Sequence, residues 1–253
     1  MKKYKAIILA AGSGKRLKKY TKKKPKCLVK IDGKTILSRQ IKILERNNIK
    51  NITIVGGYLS SFLKRFKINL LINKDYRKTN MVWSLFRAKK ELNNDVIISY
   101  GDIVYHENIL KKLMKSDSDI AVAIDSNYKK FWKKRFKNPL RDLETLKIKE
   151  NKISKIGKKT KSYKDIDGQY IGLIKLSKLG SRYFLNTFKK IKLENKYIQG
   201  KRIEDCYLTD FLQEIIDRGQ IVRPIKFRED WIEVDTINDL KNPETLKRLK
   251  KIS

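Results

Sequence analysis

The sequence predicts an α/β fold, an open, mostly parallel, Rossmann-like sheet with helices on both faces. The first observation is the run Tyr4–Ala10, which is continuously apolar and therefore typical of a strand buried on both faces. The second is the alternation of such strands with helical spacing over the first hundred residues. The third is the glycine that follows several of these strands, as at Gly12, Gly56 and Gly101.

The elements of the first half, residues 1–118, follow from this spacing. Leu37, Ile41 and Leu44 recur at helical intervals, whereas short apolar runs bounded by glycine indicate strands. The predicted order is a strand over Tyr4–Ala10, a helix over Ile36–Asn48, strands over Asn51–Val55 and Leu70–Asn73, a helix over Met81–Leu92 and a strand over Asp95–Tyr100.

The second half, residues 119–253, has a less regular pattern, which predicts an inserted α+β part and a C-terminal helix. No repeat and no low-complexity linker separates the halves, so we predict one domain over 1–253. The predicted strands are Ile120–Ile124, Thr145–Lys149, Ile153–Gly157, Gln169–Leu176, Ile221–Phe227 and Trp231–Asp235, and the predicted helices are Leu179–Lys190, Cys206–Arg218 and a basic terminal helix.

The composition excludes some classes of protein. No apolar run in the 253 residues is long enough to cross a bilayer, and the stretch Ala6–Ala11 is too short for a secretion signal. We therefore expect a cytoplasmic protein with no membrane span, in which Cys27 and Cys206 are free thiols.

The formal net charge of +35 comes mainly from lysines that are spread along the whole chain. A basic tail or stripe, or aromatic residues interleaved with basic ones, would favour nucleic acid, and neither pattern is present. The charge therefore favours a solvated, compositionally biased surface over a functional polyanion contact, and nucleic acid is not an expected partner. It should still attract anionic substrates at low salt.

The strongest local signal is the segment LAAGSGKRL at 9–17, directly after the first strand. Gly12 and Gly14 permit positive φ and let phosphate oxygens approach the main chain, while consecutive amides with Arg16 behind them suit a triphosphate. A P-loop is excluded because Leu9 and Arg16 stand where its first glycine and its Ser or Thr belong. A dinucleotide fingerprint is excluded because Leu17 replaces its third glycine. A tight turn that binds nothing is the structural alternative.

The segments AAGSGKRL at 10–17 and PKCLVKIDGKTIL at 25–37 occur together. This pair resembles the signature of the sugar-phosphate nucleotidyltransferase superfamily. The resemblance implies a nucleotidyltransferase fold in which Arg16 and Lys26 grip a nucleoside triphosphate, and Lys26 stabilises the charge at the α-phosphorus. It also implies nucleotide contacts along the loop, at Leu9, Ala11, Gly12, Ser13 and Gly14.

Two aspartates, Asp102 and Asp235, each end a predicted strand. Ligands of open α/β sheets gather at the carboxyl ends of strands, and Mg²⁺ takes a few carboxylates together with phosphate oxygens. The resemblance implies that both are catalytic metal ligands beside the two basic residues, and that Asp102 also contacts the nucleotide. Taken alone, each would more simply be a turn or helix-cap residue. Asp165 and Asp167 form a rival pair, which we place in a solvated basic loop.

The segments VGGY at 55–58 and TNMVWSL at 79–85 resemble a narrower group. These are the small bacterial cytidylyltransferases that activate phosphocholine, aminoethylphosphonate or phosphoglutamine for surface polysaccharides. The resemblance implies CTP as the nucleotide, with Asn80 and Ser84 at base or sugar edges and with Gly57 and Tyr58 beside the pyrimidine. For the large apolar side chains of the second segment, packing in a helix core is the simpler interpretation.

The middle of the chain, including WKKRFKNPLRDLETLK at 132–147 and YLTDFLQ at 207–213, is most similar to the phosphoglutamine enzymes. The resemblance implies an acceptor pocket, with Lys158, Lys159 and Lys147 for the phosphate and with Glu144, Gln169 and Trp231 for the other end. In so basic a chain a solvated role is the alternative for each lysine, and Trp231 is as well explained by packing.

The expected reaction is Mg²⁺-dependent transfer of CMP from CTP to a small phosphate or phosphonate acceptor, with release of pyrophosphate. The best match for the acceptor is phosphoglutamine-like, ahead of phosphocholine and aminoethylphosphonate. No protein nucleophile is needed because the acceptor is already anionic, and the one histidine, His106, is expected in a surface loop. The alternatives are a sugar-1-phosphate nucleotidyltransferase and a non-catalytic polyanion-binding protein. The sequence leaves homodimerisation open.

Overall fold

The computed structural model describes residues 3–252, which form thirteen strands and eight α-helices. The strands are β1 Tyr4–Ala10, β2 Lys30–Ile31, β3 Lys34–Thr35, β4 Asn51–Gly56, β5 Asn69–Ile72, β6 Asp95–Tyr100, β7 Ile103–Tyr105, β8 Ile120–Asp125, β9 Glu144–Lys149, β10 Lys152–Lys159, β11 Gln169–Leu176, β12 Val222–Phe227 and β13 Trp231–Glu233. The helices are α1 Ile36–Arg46, α2 Met81–Arg87, α3 Glu107–Met114, α4 Tyr128–Arg135, α5 Lys178–Leu193, α6 Leu208–Asp217, α7 Ile237–Lys241 and α8 Pro243–Ile252.

The central sheet has seven strands in the order β12-β8-β11-β6-β1-β4-β5. Only β11 runs antiparallel to its neighbours, and every other pairing in this sheet is parallel. All seven strands coincide with predicted strands to within one residue at either end. The predicted mostly parallel, Rossmann-like sheet is therefore confirmed, and strands from both halves of the sequence contribute to it.

The apolar run of β1 lies at the centre of the molecule because both faces of the strand are covered. Ala6 and Ile8 belong to one buried cluster, together with α1, α3, α4 and α8. Ile7 and Leu9 belong to a second cluster, which includes residues of α2, α5 and α6. This alternation explains why the strand is apolar at every position, and it confirms the prediction of helices on both faces.

Several elements differ from the sequence prediction. The helix predicted over Met81–Leu92 ends at Arg87, because Ala88 leaves helical geometry and a separate 3-10 turn follows at Lys89–Glu91. The short helices α3 and α4 and the strand β7 were not predicted, since runs of three to eight residues give too little periodicity. No helix within residues 3–252 is long and apolar enough to cross a bilayer.

A two-stranded ribbon outside the main sheet connects two distant parts of the sequence. In this antiparallel ribbon of β7 and β13, Tyr105 pairs with Trp231 and Ile103 pairs with Glu233. Beyond the ribbon, the amide of Val234 donates to the carbonyl of Asp102 at 3.0 Å. Residues 102 and 235 are therefore brought to the same place, although 133 positions separate them in the sequence.

Gly172 in β11 allows a close contact that positions the Tyr100 side chain. Its φ is +83°, and a Cβ built there would lie 2.5 Å from the Tyr100 ring. Gly219 is a matched control, because its φ is +84° and a Cβ would contact nothing within 4 Å.

We therefore expect Gly172→Ala to cost about 2–4 kcal/mol in the free energy of unfolding, since backbone strain and a steric overlap add. Gly219→Ala should cost only about 1–2 kcal/mol, from the backbone alone. Urea denaturation of both variants measures the difference, and equal losses would contradict the proposed contact.

Candidate active site

A cavity of about 450 Å³ opens at the carboxyl ends of β1 and β6, where the first helix turn of α2 also arrives. Its position agrees with the general location of ligand sites in open α/β sheets. The cavity is lined by the loop from Leu9 to Arg16, by Lys26 and Cys27, by Tyr76, Thr79, Asn80, Met81 and Ser84, and by Tyr100, Gly101, Asp102, Tyr207 and Asp235.

The glycine loop forms one wall of this cavity between the end of β1 and a 3-10 helix over Lys15–Tyr20. Gly14 has φ +62°, and a Cβ there would lie 2.9 Å from the Cβ of Lys26, so glycine is needed on both counts. Gly12 does not have the predicted positive φ. A Cβ at Gly12 would contact nothing within 4 Å, so the residue leaves open space in the cavity wall.

The amides of residues 12–14 are available to a ligand. Within residues 3–252, no carbonyl or side chain accepts a hydrogen bond from the backbone N–H groups of Gly12, Ser13 or Gly14. Three successive amides without a protein acceptor are suited to phosphate oxygens.

Lys26 joins two acidic side chains at the base of the cavity. Its Nζ lies 2.7 Å from Oδ2 of Asp102 and also forms an ion pair with Oδ1 of Asp235. Burial by itself lowers the pKa of Lys26, but the two carboxylates outweigh this effect and raise the pKa above its ordinary value. Lys26 therefore stays charged, and its ammonium group occupies the space between the aspartates.

Arg16 reaches the same acidic group from the solvent side. Its guanidinium forms an ion pair with Oδ2 of Asp235 and lies 4.0 Å from Asp142. Its side chain is 60% exposed, whereas those of Lys26 and Asp235 are 14% and 12% exposed. The four predicted catalytic residues therefore lie together, with Arg16 at the mouth and the others below it.

A third carboxylate, Glu233, belongs to this group and was missed by the sequence analysis. Oxygen atoms of Asp102, Glu233 and Asp235 all lie within 4.8 Å of one another. Burial raises the pKa of Glu233 well above its usual range, with Asp235 and Asp102 adding to the effect and Arg135 opposing it. The available signal was spacing, because residues two apart in an extended strand share a face.

The rival pair Asp165 and Asp167 lies elsewhere. Asp167 pairs with Lys147 at 2.7 Å, and Asp165 accepts a hydrogen bond from Thr160. Within the described part of the chain, the only cluster of three acidic, His or Cys side chains with suitable spacing is Asp102, Glu233 and Asp235.

The end of the cavity near α2 is polar. Asn80 caps this helix, since its side-chain oxygen accepts a hydrogen bond from the backbone amide of Met81. The backbone amide of Asn80 donates to the carbonyl of Glu204 at 2.7 Å. Ser84 accepts a hydrogen bond from the Asn73 side chain at 3.0 Å. Both Asn80 and Ser84 line the cavity.

Gly57 and Tyr58, which were expected beside the nucleotide base, do not line the cavity. A Cβ at Gly57 would lie 2.7 Å from both the Ala11 carbonyl oxygen and the Cβ of Tyr76, so this glycine is closely covered. The amide of Tyr58 donates to the same Ala11 carbonyl at 3.0 Å. The two residues therefore pack against the glycine loop at Ala11.

Four of the predicted acceptor residues lie on the β9–β10 hairpin, whereas Gln169 begins β11 and Trp231 begins β13, and none of the six lines the cavity. Glu144 and Lys159 are paired across this hairpin, and Lys158 and Lys159 are exposed. Lys147 forms an ion pair at 2.7 Å with Asp167, which lies in the loop before β11. Gln169 is half-buried at the start of β11.

Trp231 corrects the sequence prediction most clearly. Its side chain is 1% exposed, and its Nε1 donates to the buried carboxylate of Asp125 at 2.8 Å. The indole packs against Phe131 and Trp132, with ring centroids 5.8 and 5.9 Å away. A residue that is enclosed in this way cannot contact an acceptor, and its role is in the core.

Comparison with known proteins identifies the family. A family model described as a MobA-like NTP transferase domain matches residues 6–162, more than half of the chain. The chain belongs to the MobA-like NTP transferase family. The expected kinship with nucleotidyltransferases is thus confirmed, and the chain is a nucleotidyltransferase rather than a non-catalytic binding protein.

Individual relatives of this NTP transferase include cytidylyltransferases. The CTP:phosphoglutamine cytidylyltransferase of Campylobacter jejuni is 39% identical over 246 residues, which cover 93% of this chain and 97% of that protein. The choline-phosphate cytidylyltransferase of Streptococcus pneumoniae is 35% identical over 116 residues, covering 44% of this chain and 51% of that protein.

Solved structures support the fold of this NTP transferase. The inositol-1-phosphate CTP transferase from T. maritima aligns with a TM-score of 0.77 and 22% identity, covering 100% of this chain and 97% of that one. The CTP:phosphocholine cytidylyltransferase from Streptococcus pneumoniae aligns with a TM-score of 0.67 and 20% identity, covering 99% of each chain.

Glu144 makes the stability of this NTP transferase depend on pH. Burial raises the pKa of its carboxyl from 4.5 to about 7, although Lys159 opposes the shift. The folded protein therefore keeps a proton that the unfolded chain releases above pH 4.5. Stability from this group is full below that pH and is lost as the pH rises through about 7.

We expect Glu144→Gln, which cannot ionise, to gain stability relative to the wild type as the pH is raised from about 5 to 8. Urea denaturation across this range measures the difference. Glu150→Gln, in the exposed turn of the same hairpin, controls for the loss of one negative charge. A difference between Glu144→Gln and the wild type that is the same at every pH would contradict the assignment.

Proposed function

We propose that this NTP transferase moves CMP from CTP to a small acceptor that bears a phosphate or phosphonate, and releases pyrophosphate. The observation that carries the proposal is the convergence of Arg16, Lys26 and three carboxylates beside the free amides of the glycine loop. The amides and the two cationic side chains suit a triphosphate, and the carboxylates beside them suit a metal ion. The Campylobacter relative, aligned over nearly its whole length, favours CTP as the nucleotide.

Mg²⁺ is the proposed metal, and the donor set fits it. Asp102 and Asp235 would hold the ion with Glu233 beside them, and hard carboxylate oxygens are the ligands that Mg²⁺ prefers. Oδ1 of Asp102 is buried and has no hydrogen-bond partner within the described chain, which leaves one oxygen ready for a ligand. When bound, Mg²⁺ offsets negative charge on the phosphates and orients them.

Backbone amides and side chains of the cavity supply the rest of the proposed chemistry. The amides of residues 12–14 would hold the triphosphate, and the open space at Gly12 admits its oxygens. Phosphate oxygens would then compete with the aspartates for the ammonium of Lys26, so this charge is available where negative charge develops. Arg16, at the cavity mouth, would bind the departing pyrophosphate.

The reaction requires no general base, because a phosphate monoester is already anionic at neutral pH. His106 agrees with this, since it caps α3 by accepting a hydrogen bond from the amide of Asn108 and does not line the cavity. Catalysis would rest on alignment of the acceptor oxygen with the α-phosphorus and on charge stabilisation.

The acceptor proposed first is phosphoglutamine-like, followed by phosphocholine and aminoethylphosphonate, in the service of surface polysaccharide decoration. Exposed Lys158 and Lys159 are the proposed phosphate contacts, and Glu144 and Gln169 the contacts to the other end of the acceptor. A cytoplasmic location belongs to the same proposal, because CTP is a cytoplasmic metabolite. A sugar 1-phosphate is the alternative acceptor.

The assignment is tested by pyrophosphate release with each of the four nucleoside triphosphates, crossed with phosphoglutamine, phosphocholine, aminoethylphosphonate and several sugar 1-phosphates. We expect CTP and a non-sugar acceptor to be required together. The variant Asp102→Asn should lower kcat by about a hundredfold or more, because it removes a charge opposite the metal. Activity confined to hexose 1-phosphates would contradict the proposed acceptor.

A second test concerns the space at Gly12. Because a Cβ there meets no protein atom, Gly12→Ala should leave Tm nearly unchanged. The added methyl group would stand where phosphate oxygens approach, so KM for CTP should rise about tenfold or more. An unchanged KM together with an unchanged Tm would show that the triphosphate does not approach this loop.

A further inference from the structure

Arg135 is a buried cation that contacts the acidic cluster of Asp102, Glu233 and Asp235 from the protein interior. Its side chain is 0% exposed, at the end of α4. One guanidinium nitrogen donates to Glu233 at 2.8 Å, while Nε and the other terminal nitrogen donate to the two oxygens of Asp239 at 2.8 and 3.3 Å. One planar group thus joins a residue of the acidic cluster to a residue of α7.

Asp239 extends this contact to the backbone that carries Asp235. One of its carboxylate oxygens accepts hydrogen bonds from the amides of Asp235 at 2.9 Å and Thr236 at 2.8 Å. Thr236 in turn caps α7, and Asp239 completes a capping box. These hydrogen bonds therefore fix the backbone at the start of α7, and they fix the position of the Cα atom that carries the Asp235 side chain.

The second contact of Arg135 places a positive charge beside Glu233. The three acidic side chains of the cluster lie close together, since one oxygen of each lies within 4.8 Å of the others, and a negative charge on one disfavours a negative charge on its neighbours. Lys26 forms ion pairs with Asp102 and Asp235, and Arg135 forms the ion pair with Glu233. Arg135 is therefore the cation that directly contacts this third carboxylate, at 2.8 Å.

Aromatic rings hold the guanidinium itself in place. It lies 5.1 Å from the ring of Phe131, 5.2 Å from Trp132 and 5.0 Å from Phe136. Burying a charge is costly, and apolar residues of similar volume often stabilise a core equally well. Both partners of Arg135 are tied to the acidic cluster, which points to a role beyond packing.

We infer that Arg135 is a positioning residue, which fixes Glu233 and the backbone of Asp235 so that the three carboxylates are arranged before a cation binds. The inference rests on the proposed metal-dependent transfer. Arg135 touches no substrate, and it acts through Glu233 and Asp239.

Arg248 offers a matched control. It is also buried, at 1% exposed, it also lies over the ring of Phe131, at 4.1 Å, and it pairs with Glu244 at 3.3 Å. Arg248 also lies 3.7 Å from Asp125, but among the described residues it forms no hydrogen bond or ion pair with Glu233 or Asp239. Arg135→Met and Arg248→Met therefore both remove a buried cation from the same aromatic core, but only the first disturbs the acidic cluster.

The measurements are Mn²⁺ affinity by electron paramagnetic resonance, hydrogen exchange at the amides of Asp235 and Thr236, and Tm. Arg135→Met should weaken Mn²⁺ binding by about 10–100-fold and accelerate hydrogen exchange at both amides. Arg248→Met should lower Tm without either effect. Arg135→Lys should recover part of the Mn²⁺ affinity. A lysine ammonium can replace the contact to either Glu233 or Asp239, but it cannot reproduce the guanidinium group that bonds to both.

Should Arg135→Met not fold, Asp239→Asn tests the same connection with Arg135 in place, and it too should weaken Mn²⁺ binding. Equal Mn²⁺ affinities in the wild type, Arg135→Lys and Asp239→Asn would overturn the inference and leave the proposed function intact. A wild type that binds no Mn²⁺ and releases no pyrophosphate would overturn both.

Discussion

The site depends on the ion pairs between Lys26 and two aspartates that are far apart in the sequence. Asp102 follows β6, whereas Asp235 follows β13, and the ribbon of β7 and β13 brings the two together. Without a cation between them, two carboxylates at this distance repel each other, and burial makes the repulsion stronger. The ammonium of Lys26 offsets that repulsion in the free protein. Its own placement depends on Pro25, which starts the short helical turn, and on the absence of a side chain at Gly14.

The same arrangement connects the fold to the proposed chemistry. The position between Asp102 and Asp235 already holds the ammonium of Lys26, so it favours positive charge, and in the proposed reaction a metal ion would compete with this ammonium for the two carboxylates. The glycine loop contributes amides rather than side chains, so the cavity stays open for a bulky triphosphate. Backbone amides, paired cations and carboxylates therefore line one cavity, and the proposed metal–nucleotide complex needs donors of all three kinds.

Much of the fold and part of the site follow from the sequence, for physical reasons. Strands buried on both faces give long apolar runs, and the glycine loop and the Pro25–Lys26 pair are local motifs, so these features can be predicted from neighbouring residues. Glu233 was missed because its role comes from the pairing of β13 with β7, which joins segments more than a hundred residues apart. Trp231 was misplaced since nothing in its local sequence reveals that Asp125 and two aromatic rings enclose it. Lys147 illustrates a third limit, because in so basic a chain only the structure identifies the acidic partner of each lysine.

The central claim is that Lys26 occupies a cation position formed by Asp102 and Asp235. Its most direct test is a Mn²⁺ titration without nucleotide, followed by electron paramagnetic resonance at about pH 8, where free carboxylates are ionised. Removal of the competing ammonium in Lys26→Met should tighten Mn²⁺ binding relative to the wild type, whereas Asp235→Asn should weaken it. Weaker or unchanged Mn²⁺ binding by a folded Lys26→Met protein would contradict the account.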